Sequence, residues 1–207
     1  MKFEELLKLL EYETIFSSAL FEVAGISRQQ MKLQLVRWVK AGKLQKIRRG
    51  VYILNKPYRK AEPHPFNTAN QIKQGSYVSL QSALAFYSMI PEYVPVVTSI
   101  TTGRPEKVKT PVGVFLYRHL KKPLFSGFQN VEVISGQHAL VATPEKALLD
   151  LIYLTPQGDS KEYIEELRLQ NISLISMENL KKEAEKFKSK KMENALSNIN
   201  ALLKKGL

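Results

Sequence analysis

Residues 25–54, GISRQQMKLQLVRWVKAGKLQKIRRGVYIL, contain the pattern that decides the fold of the amino-terminal part of the chain. Ser27 is a candidate helix N-cap, and the run that follows it carries apolar residues at helical spacing until Gly42 ends the helix. Two short strand-like runs come next, residues 44–47 and 51–54, with a tight Arg-Arg-Gly turn between them. The stretch therefore predicts a long helix followed by a β-hairpin.

Two further helices are predicted upstream. Apolar residues recur at helical spacing over roughly residues 2–12. A second, short helix, capped by Thr14 or Ser18, contains Leu20 and ends at Gly25. Two helices joined by a short glycine-containing turn form a helix-turn-helix, and a hairpin after them makes a winged helix. We therefore expect an amino-terminal winged helix-turn-helix.

The positive charge of the chain is concentrated in this region. The 207 residues carry a net charge of +12, of which residues 1–60 supply +8, residues 61–160 supply +1 and residues 161–207 supply +3. Between Glu22 and Glu62 there are eleven basic residues and no acidic one. Solvated helix surfaces normally mix both signs, because opposite charges one turn apart stabilise a helix. A single-sign stretch of this length predicts a surface for a polyanion, here double-stranded DNA.

The helix-turn-helix pattern assigns roles to individual residues. In such proteins, the first residues of the second helix meet base edges in the major groove. Arg28, Gln29 and Gln30 are therefore predicted to contact bases, because Arg suits guanine and Gln suits adenine, and Ser27 joins this set at the helix start. The basic residues that follow are better suited to phosphate. They are Lys32, Arg37, Lys40, Lys43, Lys46, Arg48 and Arg49.

A helical wheel also separates the core face of this long helix from its exposed face. One side carries four apolar residues, predicted to be core, namely Met31, Leu35, Trp38 and Val39. Trp38 is interpreted as a core residue and not as a platform on which bases stack. Leu33 and Val36 fall on the polar side, so we expect part of that side to pack internally.

The sequence after residue 60 predicts a linker and a second domain. Residues 61–75 contain prolines and little periodicity, which indicates a linker. Residues 76–207 are predicted to form a mixed α/β domain, and its tail, about 160–205, is helical by pattern. The overall expectation is an α+β protein. Its second domain contains an apolar helix from Ser79 to about residue 90, strands near 94–101, 112–117, 131–134 and 139–142, and a buried helix that begins at Thr143.

The same sequence disfavours catalysis and membrane insertion. There is no cysteine, only two of the 19 acidic residues are aspartates, and the three histidines are far apart. We therefore expect no metal site, no cofactor and no enzymatic activity. Asp150, in the buried helix, is expected to pair with Lys146 four residues earlier. No apolar run approaches the ~20 residues needed to span a bilayer, so a soluble cytoplasmic protein without membrane contact is expected.

Two stretches resemble the AbiEi-type antitoxin family of bacterial type IV toxin–antitoxin systems. One is the winged-helix segment from Gly25 through Gly42-Lys43-Leu44 to the Arg-Arg-Gly-Val-Tyr sequence that starts at Arg48. The other combines SLQSAL, residues 79–84, with TPEKALLD, residues 143–150. The resemblance covers most of residues 14–154, and the TPEKALLD element is its more specific part.

This resemblance implies a transcriptional autorepressor that binds inverted repeats in its own promoter. It also implies that the carboxy-terminal domain counteracts a co-encoded nucleotidyltransferase toxin without a stable toxin–antitoxin complex. Two copies are expected to meet on DNA. The matched positions in the second domain are interpreted as caps and helix contacts and not as an active site. They are Ser79, Ser82, Thr143, Glu145, Lys146 and Asp150.

Three alternatives remain at the level of sequence. A winged-helix regulator whose second domain senses a small ligand would require an apolar pocket with a few convergent polar groups. An RNA-binding protein is disfavoured because the glycine-aromatic signatures of common single-strand modules are missing. A nuclease is disfavoured because no Asp followed by Glu-x-Lys is present.

Overall fold

The computed structural model describes residues 1–23, 25 and 27–205, without the side chains of Glu22, Val23, Arg28, Lys204 and Lys205. The fold is α+β, as expected. Its helices are α1 (Phe3–Leu10), α2 (Leu20–Val23), α3 (Arg28–Lys40), α4 (Pro65–Ile72), α5 (Leu80–Phe86), α6 (Pro144–Leu154), α7 (Lys161–Glu166), α8 (Met177–Glu185) and α9 (Lys190–Lys205). Its strands are β1 (Ile15–Ser17), β2 (Leu44–Arg48), β3 (Val51–Leu54), β4 (Ser76–Val78), β5 (Val97–Thr101), β6 (Glu106–Thr110), β7 (Gly113–His119), β8 (Phe128–Ile134) and β9 (Gln137–Ala142).

The chain divides into two compact units. Unit 1 comprises Met1–Gln74, Lys109–Gly113 and Val131–Ala139. Unit 2 comprises Gly75–Val108, Val114–Asn130 and the described chain from Leu140 onwards. Along the part of the chain that the structure describes, no helix has the length and apolarity that a membrane crossing requires.

Unit 1 contains the predicted helices and hairpin together with a strand that the pattern did not reveal. The small sheet has the order β1-β3-β2, and both pairings are antiparallel, with Ile15 opposite Ile53 and Leu44 opposite Leu54. Buried apolar residues of α1, α2 and α3 pack against this sheet in one hydrophobic core. The extra strand β1 has only three residues, too few to show the alternation by which strands are recognised in a sequence.

The segment predicted as a linker contains helix α4. This helix begins at Pro65, a residue favoured at the first helical position, and the Nδ1 atom of His64 accepts a hydrogen bond from the backbone N–H of Phe66 at 3.2 Å. Residues Asn67, Thr68, Ala69 and Ile72 are buried, and α4 packs on β1. The mixed polar and apolar composition of this buried face hides the helical periodicity.

The larger sheet has the strand order β6-β7-β5-β4-β9-β8. Strand β4 runs antiparallel to β5 and parallel to β9, while β5 and β7 are parallel. Helix α5 packs on α6, and α6 in turn packs on α8 and α9. The helical tail is thus confirmed, and it comprises the short helices α7 and α8 and the longer α9. Strands β4 and β6 were not predicted, because β4 has three residues and β6 is polar.

A buried polar cluster lies where β4, α5 and α6 meet. Lys146 and Asp150 form the predicted ion pair on α6, and both side chains are almost completely inaccessible to solvent. The other oxygen of Asp150 accepts hydrogen bonds from the hydroxyls of Tyr77 and Ser79, each at 2.8 Å. Burial raises the pKa of the Asp150 carboxyl, and Lys146 and the two hydroxyls oppose this shift. Both carboxylate oxygens are therefore satisfied within the core.

Removing one member of this ion pair should be costly. We expect Lys146→Met to lower the free energy of unfolding by about 3–5 kcal/mol, because the Asp150 carboxylate loses its counter-charge in the core. The double variant Lys146→Met/Asp150→Asn should recover much of this loss, since Asn is uncharged and its carbonyl still accepts from the hydroxyls. Urea unfolding followed by circular dichroism measures both values.

The exposed pair of Lys161 and Glu165 is a matched control, because it has the same i,i+4 spacing with an N–O distance of 3.9 Å. Lys161→Met should cost less than about 1 kcal/mol. Equal losses for Lys146→Met and Lys161→Met would contradict the assignment of a buried, compensated charge pair.

Candidate nucleic-acid interface

Helix α3 begins at the residue that the sequence predicts. The Ser27 side chain accepts a hydrogen bond from the backbone N–H of Gln30, which places Ser27 at the N-cap. At the other end, Gly42 has a φ of +67°, a backbone conformation that favours glycine, and it turns the chain into β2. The Nδ2 atom of Asn55 donates to the Gly42 carbonyl at 2.7 Å, so the end of the hairpin is attached to the end of α3.

The rotation of α3 about its own axis is set by its buried face. Met31, Leu35 and Trp38 are buried in the core of unit 1, as predicted. The Trp38 ring meets the edge of Phe3, with ring centroids 5.4 Å apart, and lies 6.3 Å from Phe21. Trp38 is therefore a core residue, and turning α3 would remove a large aromatic surface from this core.

The opposite face of α3 is exposed, and we call it the exposed stripe. At 100° per residue, its members span an arc of about 140° around the helix. No carboxylate lies among them. The exposed stripe consists of Gln29, Lys32, Leu33, Val36, Arg37 and Lys40.

The hairpin β2–β3, whose first strand packs against α3, carries a basic turn. Its register shifts between Lys46 and Arg48, so Ile47 is an extra residue on β2, which is typical of a β-bulge. Gly50 has a φ of +80°, and its carbonyl accepts a hydrogen bond from the Ser18 backbone N–H at 2.7 Å. The turn is thus attached to the segment that leads into α2. Arg49 is exposed at the turn, and Arg48 is half-buried.

Some of the basic residues are engaged within unit 1. The ammonium group of Lys43 lies over the Phe3 ring, 4.6 Å from its centroid, and Lys60 lies 5.2 Å from the centroid of the Tyr12 ring. Arg59 forms an ion pair with Glu62 at 2.6 Å and also donates to the Leu54 carbonyl. Lys43, Lys60 and Arg59 therefore already interact with groups of unit 1, although the composition alone would assign their positive charges to a polyanion.

The predicted site residues therefore fall into three groups. Ser27, Gln29, Gln30, Lys32, Arg37, Lys40, Lys46 and Arg49 are exposed on α3 and the hairpin. Lys43 and Arg48 are half-buried, and Lys43 already has an aromatic partner. The side chain of Arg28 lies outside what the structure describes.

The expectation that the polar side of α3 packs internally is wrong. Leu33 is 55% exposed and Val36 is 53% exposed. The core of unit 1 is formed by residues of α1, α2, the hairpin and the buried face of α3, and neither Leu33 nor Val36 belongs to it. Their position on the polar side of the wheel indicated exposure, but whether apolar residues there are covered depends on elements distant in sequence.

The histidines occupy structural positions, and the described chain brings no three histidine, aspartate or glutamate side chains together for a metal. His64 caps α4, and burial lowers the pKa of its imidazole. The Nδ1 atom of His119 lies 3.0 Å from the carbonyl oxygen of Gly103. Neither histidine therefore points to a catalytic role.

The comparison with protein families agrees with the resemblance stated above. The family described as "Transcriptional regulator, AbiEi antitoxin" matches residues 4–55. This segment contains α1, α2, α3 and the hairpin, so the resemblance to antitoxins and transcription regulators of toxin–antitoxin systems is confirmed for the amino-terminal quarter of the chain.

Whole-chain comparisons are less informative. The crystal structure of the RV2827C protein from Mycobacterium tuberculosis is similar over 93% of this chain and 75% of that chain, with 13% sequence identity and a TM-score of 0.43. No curated protein matches the chain.

The division of α3 into a buried and an exposed face generates a direct test of stability. Leu35→Ala should lower the free energy of unfolding by about 2–5 kcal/mol, because it removes a side chain that is 2% exposed. Leu33→Ala, two positions away on the same helix, should change it by less than about 0.5 kcal/mol. Trp38 is the only tryptophan, so its fluorescence during urea unfolding reports on this unit. Similar losses for both variants would show that α3 is rotated differently.

Proposed function

We propose that residues 1–60 form a winged helix-turn-helix that binds double-stranded DNA, with α3 as the recognition helix and the β2–β3 hairpin as the wing. The observation that carries this proposal is the exposed stripe of α3, where three cations and Gln29 share one face. The hairpin that packs on this helix has Arg49 exposed at its turn. The buried Trp38 face leaves this stripe pointing to solvent.

Duplex DNA suits this arrangement for two reasons. The major groove of B-DNA is about 12 Å wide and admits a single α-helix. Amides at the start of α3, Gln29 and Gln30, are of the type that hydrogen-bonds adenine, while the cations further along suit phosphates. The lack of acidic residues between Glu22 and Glu62 removes the repulsion that phosphates would otherwise meet.

Phosphate contacts and base contacts should respond differently to mutation. Arg49→Ala is expected to weaken binding to all duplexes alike and to reduce the slope of log affinity against log salt by about 1. Gln29→Ala should instead relax the preference for one base, at about 1–3 kcal/mol. Fluorescence anisotropy with the chain's own promoter and a random duplex, over a range of salt concentrations, measures both effects.

Lys181→Ala, an exposed lysine of α8, is the control for loss of one positive charge outside the proposed interface. Equal loss of affinity by Arg49→Ala and Gln29→Ala on specific and random DNA would refute the division of roles. Equal affinity of the unmodified chain for its promoter, random duplex and folded RNA would refute the repressor itself.

We further propose that the whole chain is the autorepressor and antitoxin of a type IV toxin–antitoxin system. In this proposal it binds inverted repeats in its own promoter as two copies and neutralises a nucleotidyltransferase toxin without a stable complex. The family match of residues 4–55 supports this role. The proposal assigns neutralisation to the second domain, residues 76–207.

The six positions of the second domain that match the family are interpreted as structural and not as an active site. The Oγ atom of Ser82 accepts from the Thr98 backbone N–H at 2.9 Å, and Thr143 caps α6 through the Lys146 backbone N–H. A carboxylate oxygen of Glu145 accepts from the backbone N–H of Ser176 at 3.0 Å. Together with the cluster around Asp150, these bonds give each of the six matched positions a structural partner. Ser79 is the N-cap residue of α5, but its hydroxyl donates to Asp150 of α6 and makes no capping hydrogen bond.

Repression and neutralisation should be separable. When the nucleotidyltransferase encoded next to this chain is expressed from an unrelated promoter, co-expression of the full chain should restore growth. The variant Gln29→Ala/Arg49→Ala should restore growth equally, because neutralisation in a type IV system does not pass through the promoter. Failure of the unmodified chain to restore growth would refute the antitoxin role, and stable co-purification of the two proteins would refute the type IV assignment.

A further inference from the structure

Two apolar side chains lie in the middle of an otherwise polar and cationic surface. Leu33 and Val36 are 55% and 53% exposed on α3. Gln29 and Lys32 precede them, and Arg37 and Lys40 follow, all with exposed side chains. A single exposed apolar side chain needs no explanation. Two of them on the face that is proposed to enter the major groove would, however, help to determine which bases that face recognises.

The geometry of the helix places both residues within the exposed stripe. At 100° per residue, Val36 lies between Lys32 and Gln29 and Leu33 lies between Lys40 and Arg37, so the two are about 60° apart on either side of the centre of the stripe. Along the axis the two are separated by about 4.5 Å. This separation is close to the spacing of about 3.4 Å between successive nucleotides of one strand. Leu33 and Val36 can therefore reach two neighbouring base pairs.

The charge around the pair argues for DNA and against a second copy of this chain. Two copies that met through this stripe would bring Lys32, Arg37 and Lys40 of one chain against the same cations of the other, and like charges repel. A nucleic acid surface has the opposite sign. The occupant of this stripe must therefore combine an anionic rim with an apolar group at its centre.

We propose that Leu33 and Val36 contact the 5-methyl groups of thymines, so that the preferred duplex carries T·A pairs opposite the middle of α3. This inference rests on the proposed function of α3 as the recognition helix. Among the groups that the four base pairs present in the major groove, the thymine methyl is the apolar one, and the others donate or accept hydrogen bonds. Leu and Val would desolvate a cytosine amino group without replacing its hydrogen bond to water, which adds discrimination against C·G pairs.

The contact places Leu33 and Val36 among the specificity-determining residues. The glutamines at the start of α3 supply hydrogen bonds, and reading from the middle of a recognition helix is established geometry for helix-turn-helix variants. Because the cations beside the pair contact phosphate whatever the sequence, a methyl contact would change specificity more than general affinity.

The experiment removes only the methyl groups. The full chain selects duplexes from a randomised library, and the enriched duplex is synthesised again with deoxyuridine in place of every thymidine. We expect binding to weaken about 4-fold for each methyl contacted, and about 15-fold for two, which is the effect of burying one or two such groups. For the double variant Leu33→Ala/Val36→Ala, the ratio of the affinity for the thymidine duplex to that for the deoxyuridine duplex should fall to near 1.

Leu9→Ala provides the matched control. Leu9 is 51% exposed on α1 and has the same apolar chemistry outside the exposed stripe, so this variant should keep the full sensitivity to methyl removal. The fluorescence of Trp38 during urea unfolding checks that each variant is folded.

The outcomes distinguish the inference from the function on which it rests. A chain that enriches one sequence but binds the thymidine and deoxyuridine duplexes equally overturns the methyl contact and leaves the DNA-binding proposal standing. A double variant that keeps the full sensitivity also overturns it, because the effect then comes from DNA shape or from other residues. If no sequence is enriched over random duplex, the proposed sequence-specific function itself fails.

Discussion

The packing of the Met31, Leu35 and Trp38 face into the core of unit 1 is the constraint on which the interface depends. A helix can present any of its sides to solvent, and only the burial of one side decides which residues remain outside. Trp38 contacts aromatic rings from α1 and α2, so the three helices set one another's orientation. Which residues of α3 are exposed at the surface is therefore a consequence of aromatic packing in the interior.

The hairpin depends on the same core and on a few backbone hydrogen bonds. Strand β3 pairs with β2 on one side and with β1 on the other, so the hairpin is held as part of a sheet and not as an isolated arm. The bond from Ser18 to Gly50 links its turn to the segment before α2. The backbone of the turn is thus held in place, which would reduce the conformational entropy lost if Arg49 and α3 bind one DNA duplex as proposed.

Strong local signals explain what could be predicted from the sequence. Ser27 and Thr143 each cap a helix in the structure, because a side-chain hydroxyl at that position satisfies a backbone N–H that the helix leaves free. The pair of Lys146 and Asp150 followed from i,i+4 spacing. The two strands of the hairpin were visible because a basic turn with glycine separates two apolar runs.

The features that escaped prediction depend on contacts distant in sequence. Strand β1 has three residues and owes its conformation to pairing with β3, some forty residues later in the chain. Helix α4 buries polar side chains such as Asn67, whose amide donates to Glu13 and to the His138 carbonyl at 2.8 Å each, so its buried face does not look apolar. Whether Leu33 and Val36 are covered depends on how much of the core other elements already fill, and no periodicity encodes that.

The proposed repressor role makes two demands on α3, and its exposed stripe carries one chemistry for each. Cations bind any duplex, because every nucleotide carries a phosphate, and their contribution falls as salt rises. Apolar contacts to base edges are less sensitive to salt and depend on the base, so they discriminate where charge cannot. A recognition helix with cations alone would be distributed over the whole genome. The exposed leucine and valine lie between these cations, so in the proposed complex the phosphate contacts that hold the helix in the groove would also bring both side chains to the bases, and general affinity would supply the position from which specificity is read.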